Sequence, residues 1–199
     1  MNFILLFISF YFASFSASDS PLSLFNEMGL EKQMDYSVFE TAYNGMAKFN
    51  PDKKDKLVIF DVTKPSTEKR FYVLDLKGKK LLYHCLAAHG KGSGENNANL
   101  FSNTPNSMKT APGFYLTLST YSGKHGYSLK LRGLEKGIND NAEKRAIVIH
   151  GADYVSDDFI KVHGRIGRSW GCPALPVGLS KEIIDCIKDG TLLYIFAGR

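Results

Sequence analysis

The segment 167–175, which reads GRSWGCPAL, contains a cysteine whose neighbours suit a reactive thiol. It has the pattern of neither a strand nor a helix interior. Gly171 lets the backbone approach a substrate closely, and Pro173 stiffens the chain just after Cys172. The consecutive N–H groups of Gly171 and Cys172 are also candidate donors to a developing oxyanion. Cys172 is therefore the candidate nucleophile, with a purely structural thiol as the alternative.

A thiol with an ordinary pKa of about 8.5 reacts at neutral pH only with help from positive charge or an imidazole. Arg165 and Arg168 place positive charge near it in sequence, which favours the thiolate. Two upstream histidines are candidate bases: His150 ends the apolar run 146–149, and His163 lies in a polar segment. Catalytic groups work best on rigid elements, which makes His150 the better candidate. The alternative for either histidine is a hydrogen-bonded structural role.

Other reactive residues match no known kind of site. The glycines of segment 90–94 fit neither spacing used by nucleotide-binding loops. His84, Cys85 and His89 resemble metal ligands, but His84 and Cys85 are adjacent in a predicted strand and would point to opposite faces. We therefore expect no metal site there. A disulfide between Cys85 and Cys186 stays open as an alternative to two buried thiols.

The elements that must position these residues are mainly strands. Apolar runs and turn signals predict seven strands, and a lysine- and glycine-containing turn at 77–80 predicts a hairpin. The predicted strands are 57–60, 71–76, 81–88, 114–118, 128–131, 146–150 and 192–196. Because the strands arrive in clusters, the expected fold is mainly β: an antiparallel sandwich or barrel with a few short helices.

Helices are fewer and shorter. Ser37 followed by Glu40 is a capping box, which predicts a helical appendage that ends before Pro51. Ser156 is expected to cap a second helix, and a third should run over residues 180–187. The segment 90–107 is rich in glycine, asparagine and serine, as loops that frame a site often are.

Composition narrows the class of protein. The 199 residues are 44% hydrophobic and 23% charged, which excludes whole-chain disorder, collagen and coiled coil. Lysine and arginine exceed aspartate and glutamate by 25 to 20, giving a net charge of +5. Because the basic residues are spread along the chain, we expect no nucleic-acid partner. Mild basicity fits an anionic partner such as a cell envelope.

The first residues predict export. Residues 3–15 are uncharged and almost wholly apolar, too short to span a membrane but typical of a signal peptide. Small residues before Asp19 suit cleavage, and no membrane span is expected in the mature chain. The alternative is a buried N-terminal strand or helix. The predicted organisation is a signal peptide over 1–18, a helical appendage over 19–52 and a catalytic domain over 53–199, located in the periplasm or cell envelope.

Two of these segments together resemble a known family. Residues 149–151, IHG, followed by residues 169–172, SWGC, resemble the signature of the L,D-transpeptidases, the cysteine enzymes that remodel bacterial peptidoglycan. Residues 110–115, TAPGFY, are similar to that family's strand entry, with the proline displaced by one position. The branch of murein L,D-transpeptidase catalytic domain proteins is also similar at 64–70, 123–126, 150–154 and 171–175. The resemblance covers about residues 56–197.

The chain departs from the wider family at three places. Trp170 stands where the family usually has histidine, and Ala174 stands where it usually has a polar or basic residue. These two positions commonly serve substrate binding, so the substrate preference of this chain is open. Eighteen residues separate His150 from Ser169, about one more than usual. The extra length extends a loop and leaves the pairing of cysteine and histidine plausible.

The resemblance implies a mechanism. Cys172, as thiolate, would attack the carbonyl that joins an L-centre to D-Ala in a peptide stem, with the oxyanion on the N–H groups of Gly171 and Cys172. His150 would take the thiol proton and later protonate the leaving amine. Because Gly151 follows His150, no acidic side chain adjoins the ring, and a backbone carbonyl is expected to orient it. No metal or organic cofactor is needed.

The expected partners are therefore peptidoglycan stem peptides. Transfer of the acyl group to an amine is L,D-transpeptidation. Transfer to water would make the protein an L,D-carboxypeptidase or a wall-linkage amidase, and a non-catalytic wall-binding domain is a third reading. The predicted catalytic residues are Cys172, His150, Gly171 and Gly151. The predicted substrate-binding residues are Arg165, Arg168, Ser169, Trp170 and His163.

Overall fold

Eight strands form one sheet in the computed structural model, which describes residues 20–198. The predicted signal peptide over 1–18 lies outside the described residues. The strands are β1 Lys53–Asp61, β2 Phe71–Asp75, β3 Lys80–Cys85, β4 Gly113–Gly123, β5 Gly126–Gly133, β6 Val148–Gly151, β7 Ala174–Leu175 and β8 Thr191–Phe196. Their order across the sheet is β3-β2-β1-β8-β4-β5-β6-β7.

The sheet curls until its two edges nearly meet. Ala88, just beyond β3, exchanges backbone hydrogen bonds of 2.8 and 3.3 Å with Ala174 of β7. Five of the seven strand pairs are antiparallel, and β1–β8 and β6–β7 are parallel. The prediction of a mainly antiparallel sandwich or barrel is confirmed, in the form of a nearly closed barrel-like sheet.

Strand alternation decides which residues face the interior. On β6 and just before it, Ile149 and Ile147 join the inner core, so the residues between and after them face the other way. The helix α4, Val177–Ile187, covers the same core with Ile183, Ile184 and Ile187. Burying such a side chain stabilises the fold by about 1.5–3 kcal/mol each. His150, one residue after Ile149, is thereby directed away from the inner core.

Two N-terminal helices cover the opposite face of the sheet. They are α1, Pro21–Glu27, and α2, Tyr36–Phe49, and they pack a largely aromatic layer on β1, β2, β4 and β8. The predicted capping box is wrong: α2 begins at Tyr36, and Glu40 accepts a hydrogen bond from the Tyr36 hydroxyl. Within the predicted helical appendage, Ser20 caps α1 and Pro21 opens it. The division of the chain at residue 52 stays a prediction.

The remaining elements largely follow their sequence signals. The hairpin between β2 and β3 is confirmed, as is the Ser156 cap of α3, Asp157–His163. The helix expected over 180–187 begins three residues earlier, at Val177. Cys85, Cys172 and Cys186 are all free thiols, so the open alternative of a disulfide is not formed. None of the helices within residues 20–198 has the length and apolar character that crossing a bilayer requires.

Candidate active site

The pairing of β6 with β7 brings His150 beside the cysteine loop. His150 is the register partner of Ala174, two residues after Cys172, and its N–H donates to the carbonyl of Pro173 at 3.4 Å. The Cys172 Sγ lies 3.8 Å from the carbonyl oxygen of Ala146, just before β6. The thiol therefore lies beside the start of β6 and the imidazole near its end. The two residues singled out in the sequence therefore belong to the two segments that this strand pair brings together.

Burial keeps the cysteine protonated. Desolvation raises the pKa of the Cys172 thiol, and a hydrogen bond from the Val148 backbone and the charge of Arg145 offset this only in part. The positive charge that acts on the thiol is that of Arg145, whereas the Arg165 and Arg168 guanidinium groups pair with Glu95, at 3.0 and 2.6 Å, and their role in substrate binding stays a prediction. A resting thiol of this kind needs a base before it can attack a carbonyl.

His150 has the protonation state of a base. Its side chain is buried, and its Nδ1 lies 2.9 Å from the carbonyl oxygen of Gly151. A carbonyl can only accept, so Nδ1 carries the hydrogen and Nε2 keeps its lone pair. As expected, a backbone carbonyl orients the ring. Burial also lowers the pKa of His150 below its ordinary value, which keeps the imidazole neutral near pH 7.

A serine hydroxyl fixes the loop that carries the thiol. Ser169 Oγ donates to the carbonyl of Cys172 at 2.6 Å and accepts from the N–H of Gly171 at 3.0 Å. The Gly171 N–H is therefore bonded within the loop, and its role as an oxyanion donor stays a prediction. Ser169 is only 4% exposed and shapes the loop, and its role in substrate binding stays a prediction. The Cys172 N–H has no acceptor among residues 20–198 and remains a candidate donor.

Gly171 is required for a different reason. Its φ of 121° lies in a region that L side chains rarely adopt, and an added Cβ would lie 2.8 Å from the Lys109 carbonyl oxygen. The backbone of Gly90 packs directly on it, since a Cβ on Gly90 would lie 2.9 Å from the Gly171 Cα. The cysteine loop and the segment after β3 thus meet backbone to backbone.

A buried arginine and histidine support this junction from behind. The Ser169 N–H donates to the His89 carbonyl at 3.0 Å, and Arg70 Nη2 donates to His89 Nδ1 at 2.7 Å. Arg70 is fully buried and also donates to the carbonyls of Ala87 and Lys64, at 2.9 and 2.8 Å. Burial, and then the Arg70 charge, lowers the pKa of His89 to about 4. Neither residue was predicted to support the site, because no local pattern indicates this contact.

Two open cavities meet at Ala146, whose carbonyl faces the thiol. One of 260 Å³ is lined by Tyr121, Lys130 and Glu143, and the other, of 290 Å³, is lined by Arg145 and Trp170, among others. Trp170 is 69% exposed. Both cavities are bordered by an aromatic ring and a cation, Tyr121 with Lys130 in the first and Trp170 with Arg145 in the second.

The other predicted site residues lie apart from the thiol. His163 ends α3, is exposed, and packs its ring on Phe159 in a tilted arrangement with centroids 4.1 Å apart. Arg165 and Arg168 face Glu95, as described. Gly151 packs against Ser180 of α4. Among residues 20–198, no three histidine, cysteine or acidic side chains converge as metal ligands would.

Comparison with known proteins assigns this arrangement to a family. A family model described as the L,D-transpeptidase catalytic domain matches residues 30–196. No curated protein matches the chain. Among solved structures, an L,D-transpeptidase from Mycobacterium smegmatis is 14% identical with a TM-score of 0.44, over 72% of this chain and 59% of that one. The helical cell shape determining protein from Campylobacter jejuni is 16% identical with a TM-score of 0.46, over 75% and 50%.

L,D-transpeptidase 3 from Mycobacterium tuberculosis is similar to the same degree. It is 11% identical with a TM-score of 0.45, over 70% of this chain and 60% of its own. The matched region spans about three-fifths or less of the length of each of these proteins. At such low scores the solved structures add no argument, and the assignment depends on the family model.

Proposed function

The chain belongs to the L,D-transpeptidase catalytic domain family, and we propose that it is an exported cysteine acyltransferase acting on peptidoglycan stem peptides. The observation that carries the proposal is that a protonated, half-buried thiol and a neutral imidazole, whose Nε2 is free to accept a proton, belong to segments joined by the β6–β7 pairing. A wall-binding domain without chemistry would need neither the base nor the buried support behind the cysteine loop.

The first half of the reaction forms a thioester. His150 Nε2 removes the proton from Cys172, and the sulfur attacks the carbonyl carbon that joins the L-centre to D-Ala. The oxyanion that forms accepts a hydrogen bond from the Cys172 N–H. When the intermediate collapses, the C–N bond breaks and the protonated His150 gives its proton to the leaving amine of D-Ala. The acyl group stays on the sulfur.

The second half transfers the acyl group. An amine of a second stem attacks the thioester carbonyl, and His150 takes the proton that this amine loses. The C–S bond then breaks, and the sulfur recovers its proton from His150, so the enzyme returns to its starting state. The two cavities that share Ala146 are our candidates for binding the acyl chain and the acceptor. Water in place of the amine would make the protein a hydrolase.

A mass spectrum of the purified protein incubated with a disaccharide-tetrapeptide tests the chemistry. We expect an adduct with the mass of the stem minus D-Ala, which disappears in Cys172→Ala. Cys85→Ala and Cys186→Ala are matched controls, because they remove the other two free thiols and should keep the adduct. An active Cys172→Ala enzyme would end the thiol mechanism. Product analysis with and without an acceptor amine distinguishes a cross-linked dimer from a hydrolysed tripeptide.

Export is tested separately. Protein recovered from the envelope of cells that produce the full chain should begin near Asp19 when its N-terminus is sequenced. Full-length protein found in the cytoplasm alone would contradict the proposed export, and it would leave the thiol chemistry untouched.

A further inference from the structure

A second histidine lies on the candidate base. The ring of His125 stacks on the ring of His150 with centroids 4.5 Å apart and planes 25° from parallel. His125 belongs to the segment 123–126, which the family resemblance included and to which the proposed mechanism assigns no role. Its position at a catalytic imidazole therefore needs an explanation of its own.

The hairpin between β4 and β5 delivers this ring. Gly123 and Gly126 close the turn as register partners, and Gly126 adopts a φ of 71°, which suits a tight turn. Two residues later, Ser128 is the register partner of His150 on β6. The turn thus reaches over the end of β6 and lays His125 on the imidazole, on a chain segment far from the cysteine loop.

The other elements packed against His150 bring no charge to it. Its partners across the sheet are Ser128 on β5 and Ala174 on β7, and α4 packs Ser180 on the neighbouring Gly151. Cys172 is titratable, but it carries a proton in the resting enzyme. Among residues 20–198, His125 is therefore the titratable group whose positive charge acts on the base.

We propose that His125 is a positioning residue for His150. Its ring holds the imidazole in the orientation set by the Gly151 carbonyl, and its positive charge, once it takes a proton, disfavours a second proton on His150. At mildly acidic pH an isolated imidazole would be protonated and could not act as a base. His150 therefore keeps its ability to accept a proton under these conditions. The inference deepens the proposed function and rests on it.

Two substitutions separate the ring from the charge. His125→Phe keeps an aromatic face on His150 and removes the charge, whereas His125→Ala removes both. An NMR titration of the His150 ring should show about fivefold tighter proton binding in His125→Phe, and more in His125→Ala, where water also reaches the ring. The acid limb of the pH profile of kcat/KM should move in the same direction.

Turnover separates positioning from folding. At mildly alkaline pH, His125→Ala should lose about tenfold in kcat with little change in KM, and His125→Phe should restore most of it. Lys124→Ala is the matched control, since it changes the neighbouring residue of the same exposed turn and should leave both the titration and kcat unchanged.

Two results would overturn the inference: an unchanged His150 titration in both His125 variants, or a kcat in His125→Ala equal to that of the parent. Failure of the proposed function has a different signature. If the parent protein forms no acyl adduct, the NMR titration still measures the effect of His125 on His150. If His150→Ala stays active, the base itself is misassigned.

Discussion

The helical layer and the cysteine loop are stabilised by opposite kinds of interaction. In the layer, Phe25 packs on Tyr36 and Phe39 with ring centroids 5.4 Å apart, and the buried side chains of this cluster are apolar or aromatic. Behind the loop, the buried groups are polar: Arg70 and His89 form hydrogen bonds to backbone carbonyls and to each other. One side of the protein excludes water, and the other satisfies buried polar groups.

The difference indicates what each region contributes. Apolar packing is not directional, so it stabilises the fold and tolerates small displacements. Hydrogen bonds weaken steeply when their angles change, so a buried network fixes the peptide groups that it contacts. We expect the layer to set the free energy of unfolding and the polar network to set the position of Cys172. Substitutions in the two regions should therefore separate stability from turnover.

The largest effect should come from the base. His150→Ala removes the proposed proton acceptor and should lower kcat by about 10²–10⁴, with the thiol pKa measured by alkylation rising at the same time. His163→Ala is the control, because its exposed ring lies on Phe159, and it should change the rate far less. If His163→Ala raises the thiol pKa and His150→Ala does not, the base is His163 and not His150.

The layer should respond in stability alone. Phe39 is fully buried at the centre of the aromatic cluster, so Phe39→Ala should cost about 3–5 kcal/mol in the free energy of unfolding. The kcat of the fraction that stays folded should match that of the parent. Denaturant unfolding and an assay at a permissive temperature check this. A large loss of kcat in the folded protein would break the division between the two regions.

Acid should weaken the polar region first. The pKa of His89 is about 4 in the folded protein and about 6.5 when unfolded, so the unfolded chain takes the proton more readily. Stability is therefore fully present above about pH 6.5, falls as the pH drops to 4, and loses up to about 3 kcal/mol from this residue. His89→Gln keeps one acceptor and one donor and should flatten this part of the curve. An unchanged pH dependence would exclude His89 as its source.

The smallest effect should distinguish two similar hydroxyls. Ser169→Ala leaves the buried Gly171 N–H without an acceptor and should cost about 1–3 kcal/mol, together with a loss of kcat. Thr117 is the matched case, because it donates to the Ile187 carbonyl at 2.7 Å and accepts from the Thr191 N–H at 2.8 Å. Thr117→Val should cost similar stability with kcat unchanged. Equal effects on kcat would remove the special role of the loop.

Strong local patterns predicted most of the fold. Long apolar runs predict β2 and β8, because the side chains of these strands are buried on both faces of the sheet. The two-residue β7 is too short to form a pattern, and its pairing depends on a segment 24 residues away in register, His150 with Ala174. The capping-box prediction was wrong because Ser37, although its neighbours suit a helix cap, is the second residue of α2. The helix α1 packs against α2.

The candidate site was predictable only where chemistry is local. Cys172 and His150 could be predicted because the neighbouring residues in the sequence are enough to identify a thiol beside a glycine and a histidine at the end of a strand. Arg145 acts on the thiol, and Arg70 supports the loop, through contacts between segments far apart in the chain. The hydrogen bond from the Gly171 N–H to Ser169 Oγ also could not be predicted, since it depends on the rotamer of the serine side chain and not on the spacing of the two residues. Tertiary packing decides such contacts.

The parallel pairing of β1 with β8 has a consequence for how the chain folds. β8 lies between β1 and β4, so it alone joins the strands β1, β2 and β3 to the other half of the sheet along the ladder. Its residues Thr191–Phe196 come at the end of the described chain, and pairing over such a separation in sequence slows folding. A chain that ends before Thr191 should populate an aggregation-prone intermediate with two unpaired strand edges.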